Sequence, residues 1–360
     1  MNRASDLILL GVAIATAMFV TVSCERDPAS NASSLKPQVG ATETGPKPRV
    51  TTFGTETLPI DQIYHSMQGP FDRVRLDTSE LDWVTAVRTD VVDQASQKPM
   101  GDEFFCHSQL QLPNGTRLLT MATGADDIRF PEGFAMPVSA IVSGQPEPQR
   151  ALTYLGMVLN NHEAEINKQT KVVTRLEYFK DSDFGNAPRP KKLYMTSLLM
   201  EVENLEEYKP GKDEPPISDD VTTHCALVEQ PLGGKLKLHW MVPPGLQKTR
   251  KLDRNIVPID GTVHFAWAHL HNYGVYMRLT DLTEGKVLFQ ADVENQSGRD
   301  QIANITDYSS QEGFRIYKDH EYEIEALYNN TTDEPVDAMA MIVLYYNPDG
   351  DLSIKYTGRQ

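Results

Sequence analysis

The chain has 360 residues and a net charge of −16, from 34 Lys and Arg against 50 Asp and Glu. That balance argues against nonspecific nucleic-acid binding, which needs basic side chains on phosphates, and against electrostatic docking on anionic lipid. Hydrophobic residues at 40% support a folded core, and three cysteines exclude a disulfide-dense scaffold or a four-cysteine metal site.

Residues 7–22 form an apolar run that follows Arg3 and ends at Ser23 and Cys24. Sixteen residues are short for a membrane-spanning helix, and a basic residue, an apolar stretch and a small residue before the cut describe a secretory signal. Cys directly after Ser23 resembles a bacterial lipobox, in which Cys24 becomes the lipidated first residue of the mature chain. The reading is a signal peptide over 1–23, then the lipidated Cys24 and a flexible linker over 24–57, rich in Ser, Pro, Thr and Gly. The implied location is the envelope of a bacterium, with the chain held to the membrane through Cys24. Export would leave Cys106 and Cys225 in an oxidising compartment, either bridged to each other or as two separate buried thiols.

Short segments with strand chemistry follow: 83–87, 104–107, 118–121, 154–159, 171–176, 236–242, 262–271, 274–279, 322–328 and 338–346. Turn residues separate them, and helical periodicity is scarce, with 78–87 offering at most one short piece. Many short strands divided by turns predict an all-β chain of two consecutive jelly-roll-like antiparallel β-sandwiches. The polar stretch 208–220 marks the break, giving a first sandwich over 58–220 and a second over 221–360.

The sharpest signal is His269-Leu270-His271-Asn272-Tyr273-Gly274. Side chains alternate along a strand, so His269 and His271 share a face and both rings can approach one ion. On a later strand Met339 and Met341 share a face in the same way. Two imidazoles and a thioether make a mixed site suited to copper in both oxidation states. His264, five residues before His269, falls on the other face.

Several elements occur in an order that resembles a known family. Val242-Pro243-Pro244-Gly245 precedes the histidines. Tyr317-Lys318-Asp319 leads into a strand closing at Asn329-Asn330, and Asp337-Ala338-Met339 precedes a strand closing at Tyr345-Tyr346. Over roughly 236–346 this is similar to the C-terminal catalytic domain of the copper type II, ascorbate-dependent monooxygenases, the peptidylglycine α-hydroxylating and dopamine β-monooxygenases. The resemblance implies one copper ion on His269, His271 and Met339, with Met341 as the alternative sulfur. The family's adjacent His-His pair is replaced here by Leu155-Gly156, and no His-His dipeptide exists in the chain, so its electron-transfer copper is expected to be missing.

The expectation is an exported, lipid-anchored copper-binding protein with a monooxygenase-like fold, a copper-dependent oxidoreductase if it is an enzyme. An unidentified small molecule or peptide would be its substrate. The alternatives are a non-enzymatic cell-envelope binding module or a copper-handling protein.

Overall fold

Residue alternation builds the core. In the strand Lys168–Phe179 the sealed positions fall on every second residue, Thr170, Val172, Thr174, Leu176 and Tyr178. The computed structural model describes residues 46–66, 68–112, 115, 117–139, 151–160, 166–203, 236–296 and 301–352. With 62% strand and 4% helix, the chain is all-β, built of antiparallel sheets as β-sandwich and jelly-roll folds are. The stretch 78–87 forms no helix, because Trp83–Asp93 is a strand.

In the first half, Lys168–Phe179 lies between Arg49–Gly54 and Trp83–Asp93, and Trp83–Asp93 continues to Phe134–Pro137. A four-stranded sheet faces it, in the order Phe71–Leu76, Leu152–Val158, Phe105–Gln111, Arg117–Ala122. The sheets approach closely at Gly156, where an added Cβ would lie 2.8 Å from both Thr55 Cγ2 and Val172 Cβ. Leu155-Gly156 therefore occupies packed interior with no room for a ring at Gly156. A hydroxyl chain crosses this core: Thr89 Oγ1 lies 2.7 Å from Thr174 Oγ1 and 3.1 Å from Ser108 Oγ, and Thr174 donates to Tyr154 at 2.9 Å.

In the second half, a four-stranded sheet runs Tyr194–Leu199, Ala340–Pro348, Gly261–Leu270, Tyr308–Ile316. A five-stranded sheet runs Gly245–Arg254, Glu321–Asn330, Gly274–Asp281, Lys286–Asn295, Ile302–Ile305. A small ribbon pairs Trp240–Val242 with Val336–Ala338.

Two boundaries differ from the sequence reading. The linker expected over 24–57 ends by Arg49, since Val50, Thr51, Thr52 and Phe53 supply a β-branched and aromatic run that pairs with Lys168–Phe179. The strand Tyr194–Leu199, expected in the first sandwich, pairs with Ala340–Pro348 of the second. The Pro- and Asp-rich stretch 208–220, read as the break between the halves, lies outside the described residues. The two halves also share one apolar cluster. Phe130 packs on Phe265 and Tyr345 with ring centroids 5.8 and 4.8 Å apart. The described residues form one compact unit. The signal segment, Cys24 and Cys225 lie outside the described residues, so the expected Cys106–Cys225 bridge does too.

Candidate metal centre

Two strand ends and a ribbon meet here. Gly261–Leu270 runs out at His269 and His271, and the chain turns back through Tyr273 in the left-handed region at φ 69°. Side chains and backbone lock that turn: Asn295 Oδ1 accepts from Tyr273 N–H at 3.0 Å, Asn295 Nδ2 donates to Gly274 O at 2.7 Å, and Asn329 N–H donates to Tyr273 O at 2.8 Å. From below, the buried Tyr328 hydroxyl accepts from His271 N–H at 3.0 Å and donates to the Met339 carbonyl. One phenol thus ties together the two chain segments expected to carry the ligands.

The ribbon supplies the rest. Its register sets Trp240 against Ala338 and Met241 against Asp337, which carries His239 and Asp337 toward the same corner. Asp337 Oδ2 lies 2.8 Å from His271 Nδ1, and both Asp337 oxygens lie 3.1 Å from His239 Nδ1. The rings of His239 and His271 are 5.1 Å apart. Burial would raise the Asp337 carboxyl, but the two imidazoles outweigh it and hold it well below the usual carboxylate range. An ionised carboxylate only accepts, so Asp337 can take an Nδ1–H from either ring and orient both. Ser66 Oγ lies 3.2 Å from His271 Nε2. His239, His271 and Asp337 offer ligand atoms within 4.8 Å of one another, a group that could hold a metal ion.

His269 stands against this group, its ring 5.3 Å from that of His271. Its Nδ1 is sealed from solvent and has no hydrogen-bond partner. Burial first, then the neighbouring His271, His107 and His239, push its pKa well below that of a free histidine, against a hydrogen bond with the Thr123 backbone. The ring is therefore neutral at pH 7 and carries a lone pair suited to a metal or a donor. Thr123 and His107 reach it from the first half. There a register shift at Cys106 breaks the pairing of Phe105–Gln111 with Leu152–Val158, and Cys106 Sγ sits 3.3 Å from His107 Nδ1.

Of the residues read from sequence, the structure brings His271 into the metal-capable group and sets His269 beside it. Met341 is the cross-strand partner of His269, so the two share a face; the pairing ends at Leu270 and Ala340, and Met339 and His271 lie just beyond it. His264 packs elsewhere, on Phe134 at 3.9 Å with Nδ1 3.0 Å from Ser310 O. His239 and Asp337 were missed as ligands. The alternation that selected Met339 and Met341 also selects Asp337, two residues earlier, whereas nothing local marks His239.

No family model matches the sequence, and no curated protein matches it. Solved structures do. VP54 of PBCV-1, fitted into a reconstruction of the virophage Sputnik, is 10% identical over 84% of this chain and 94% of its own, with a TM-score of 0.38. PNGase F, a glycosylasparaginase from Flavobacterium meningosepticum, is 8% identical over 84% and 97%, at 0.36. A lectin from Pleurotus ostreatus is 10% identical over 84% and 83%, at 0.17. Scores this low carry no activity across. The resemblance to the copper monooxygenases is corrected by these matches, which are β-rich proteins with no copper monooxygenase among them. Its motifs were short, and a His-x-His, a Pro-Pro-Gly turn and a Tyr pair arise readily in antiparallel sandwiches, where strands and tight turns recur.

Proposed function

We propose that this is an exported, lipid-anchored metal-binding protein of the bacterial cell envelope, and that its ion is copper. The observation that carries the metal reading is the convergence of the His239 and His271 imidazoles on the Asp337 carboxylate, beside the His269 ring whose Nδ1 is sealed and unpartnered. Copper is favoured because divalent copper binds nitrogen donors most tightly among first-row ions, and because Met341 shares a face with His269 and offers a soft donor for the reduced ion. The export and anchor rest on the apolar run 7–22 and on Ser23-Cys24.

The test is titration calorimetry of Cu(I) and Cu(II) into chelator-treated full-length protein, with metal content of untreated protein by mass spectrometry. One copper per chain is expected, lost in a His239→Ala and His271→Ala double variant. Unchanged affinity in that variant overturns the site. Asp337 supports a second reading, since two histidines and one carboxylate are also the donors of non-haem iron sites. Iron or zinc in place of copper in the untreated protein would favour it. For the anchor, labelled fatty acid should enter the wild type and not Cys24→Ser.

A further inference from the structure

Ser66 reaches the His271 ring from the first half of the chain. Its Oγ lies 3.2 Å from His271 Nε2, and on the other side of that ring Asp337 Oδ2 lies 2.8 Å from Nδ1. A hydroxyl, an imidazole and a carboxylate thus stand in a row. These are the spacings at which a base takes the proton of a nucleophile while a third group orients the base. With its proton on Nδ1, His271 donates to the ionised Asp337 and presents the Nε2 lone pair to the Ser66 hydroxyl.

The segment that presents Ser66 is braced on both sides. Tyr64 N–H donates to Asn160 O and Asn160 N–H to Tyr64 O, each at 2.9 Å, and Asn160 Nδ2 donates to Gln62 O at 2.7 Å. Past Ser66, Gln68 N–H donates to His65 O at 3.0 Å and closes a turn, while His65 N–H donates to Gln68 Oε1 at 3.3 Å. Gly69 then runs so close to the strand Leu152–Val158 that an added Cβ would collide with the Val158 carbonyl. Backbone bonds on both sides hold the hydroxyl in place, as a nucleophile must be held. Ser66 itself is half-buried, at the surface of this corner.

We propose that, in the metal-free chain, Ser66 is a nucleophile for acyl transfer from small esters, with His271 as its base and Asp337 as the orienting group. The Ser66 Oγ bonds to the acyl carbon as the ester C–O bond breaks. The hydroxyl proton passes to His271 Nε2 and on to the departing alcohol. Water then attacks the acyl-serine with His271 again as base, releasing a carboxylic acid and restoring the serine. Esters are the class this set opens with least help, because an alkoxide leaves more readily than an amine, which must first be protonated. The inference shares His271 and Asp337 with the metal reading but does not rest on it. An ion on either nitrogen of His271 would take the place of Asp337 or Ser66 at that ring.

The test is labelling of chelator-treated full-length protein with a fluorophosphonate, the adduct located by mass spectrometry, together with p-nitrophenyl acetate hydrolysis. Ser66 should be labelled about 100-fold faster in the folded protein than in urea. Ser66→Ala should abolish both the adduct and the hydrolysis. Asp337→Asn should slow labelling about tenfold or more with the serine still in place. Because the wild-type labelling decides the matter alone, a variant that fails to fold leaves the test intact. No adduct on Ser66 in the folded wild type overturns the proposal, as does hydrolysis that persists in Ser66→Ala. Copper binding by calorimetry without Ser66 labelling would sink this inference and leave the metal reading standing.

Discussion

The strand Gly274–Asp281 begins beside one histidine–aspartate arrangement and ends in another, and the two differ in what is left over. At the far end Asp281 is fully buried. Its Oδ2 lies 2.7 Å from His320 Nδ1 and its Oδ1 accepts from Glu284 N–H at 3.0 Å. The Tyr317 ring covers His320 at 4.4 Å. Each carboxylate oxygen there has a partner, and the arrangement closes a turn. At the near end one carboxylate serves two rings, and a third ring beside them holds an unanswered nitrogen. A histidine–aspartate pair is ordinary structural chemistry; surplus lone pairs around it mark room for a ligand.

The largest effect should come from the closed end. Asp281→Ala removes the acceptor for His320 and Glu284, and should cost about 2–4 kcal/mol in urea unfolding while leaving metal stoichiometry intact. Loss of metal in that variant would erase the distinction. At the open end, Asp337→Asn should weaken copper binding about 10–100-fold by calorimetry, because the carboxylate orients both rings. The third test concerns an acid with no imidazole. Burial first, then the Asp102 carboxylate, push Asp126 up to about 6 from an ordinary 3.8. The folded chain then holds a proton there that the unfolded chain releases, so this group adds stability as pH falls from about 7 towards 4. Asp126→Asn should stabilise the protein by on the order of 1–2 kcal/mol at pH 7, with the gain fading on acidification in urea titrations. The smallest effect belongs to the exposed pair Arg254–Glu321, at 2.6 Å. Arg254→Ala should move the melting temperature by no more than about 2 °C.

What was legible in the sequence follows the same physics. Gly261–Leu270 and Ala340–Pro348 read clearly because both are apolar along almost their whole length. Gly245–Arg254 did not, because this edge strand has no buried residue and alternates charges at the surface, leaving Leu246 73% exposed. His269 and His271 share a strand and could be paired on paper. His239 could not, because its place depends on the ribbon between 240–242 and 336–338, a contact across nearly a hundred residues of chain. Short motifs set in a common order suggested a kinship that whole-chain similarity does not carry.

Tyr328 bears on how an ion would come and go. Its hydroxyl grips the backbone at His271 and at Met339 simultaneously, through bonds that do not involve any donor atom of the centre. Loading and release therefore need only imidazole and carboxylate rotations over a fixed backbone frame, with no refolding step. A backbone so braced would let an ion leave such a centre while the chain stays native.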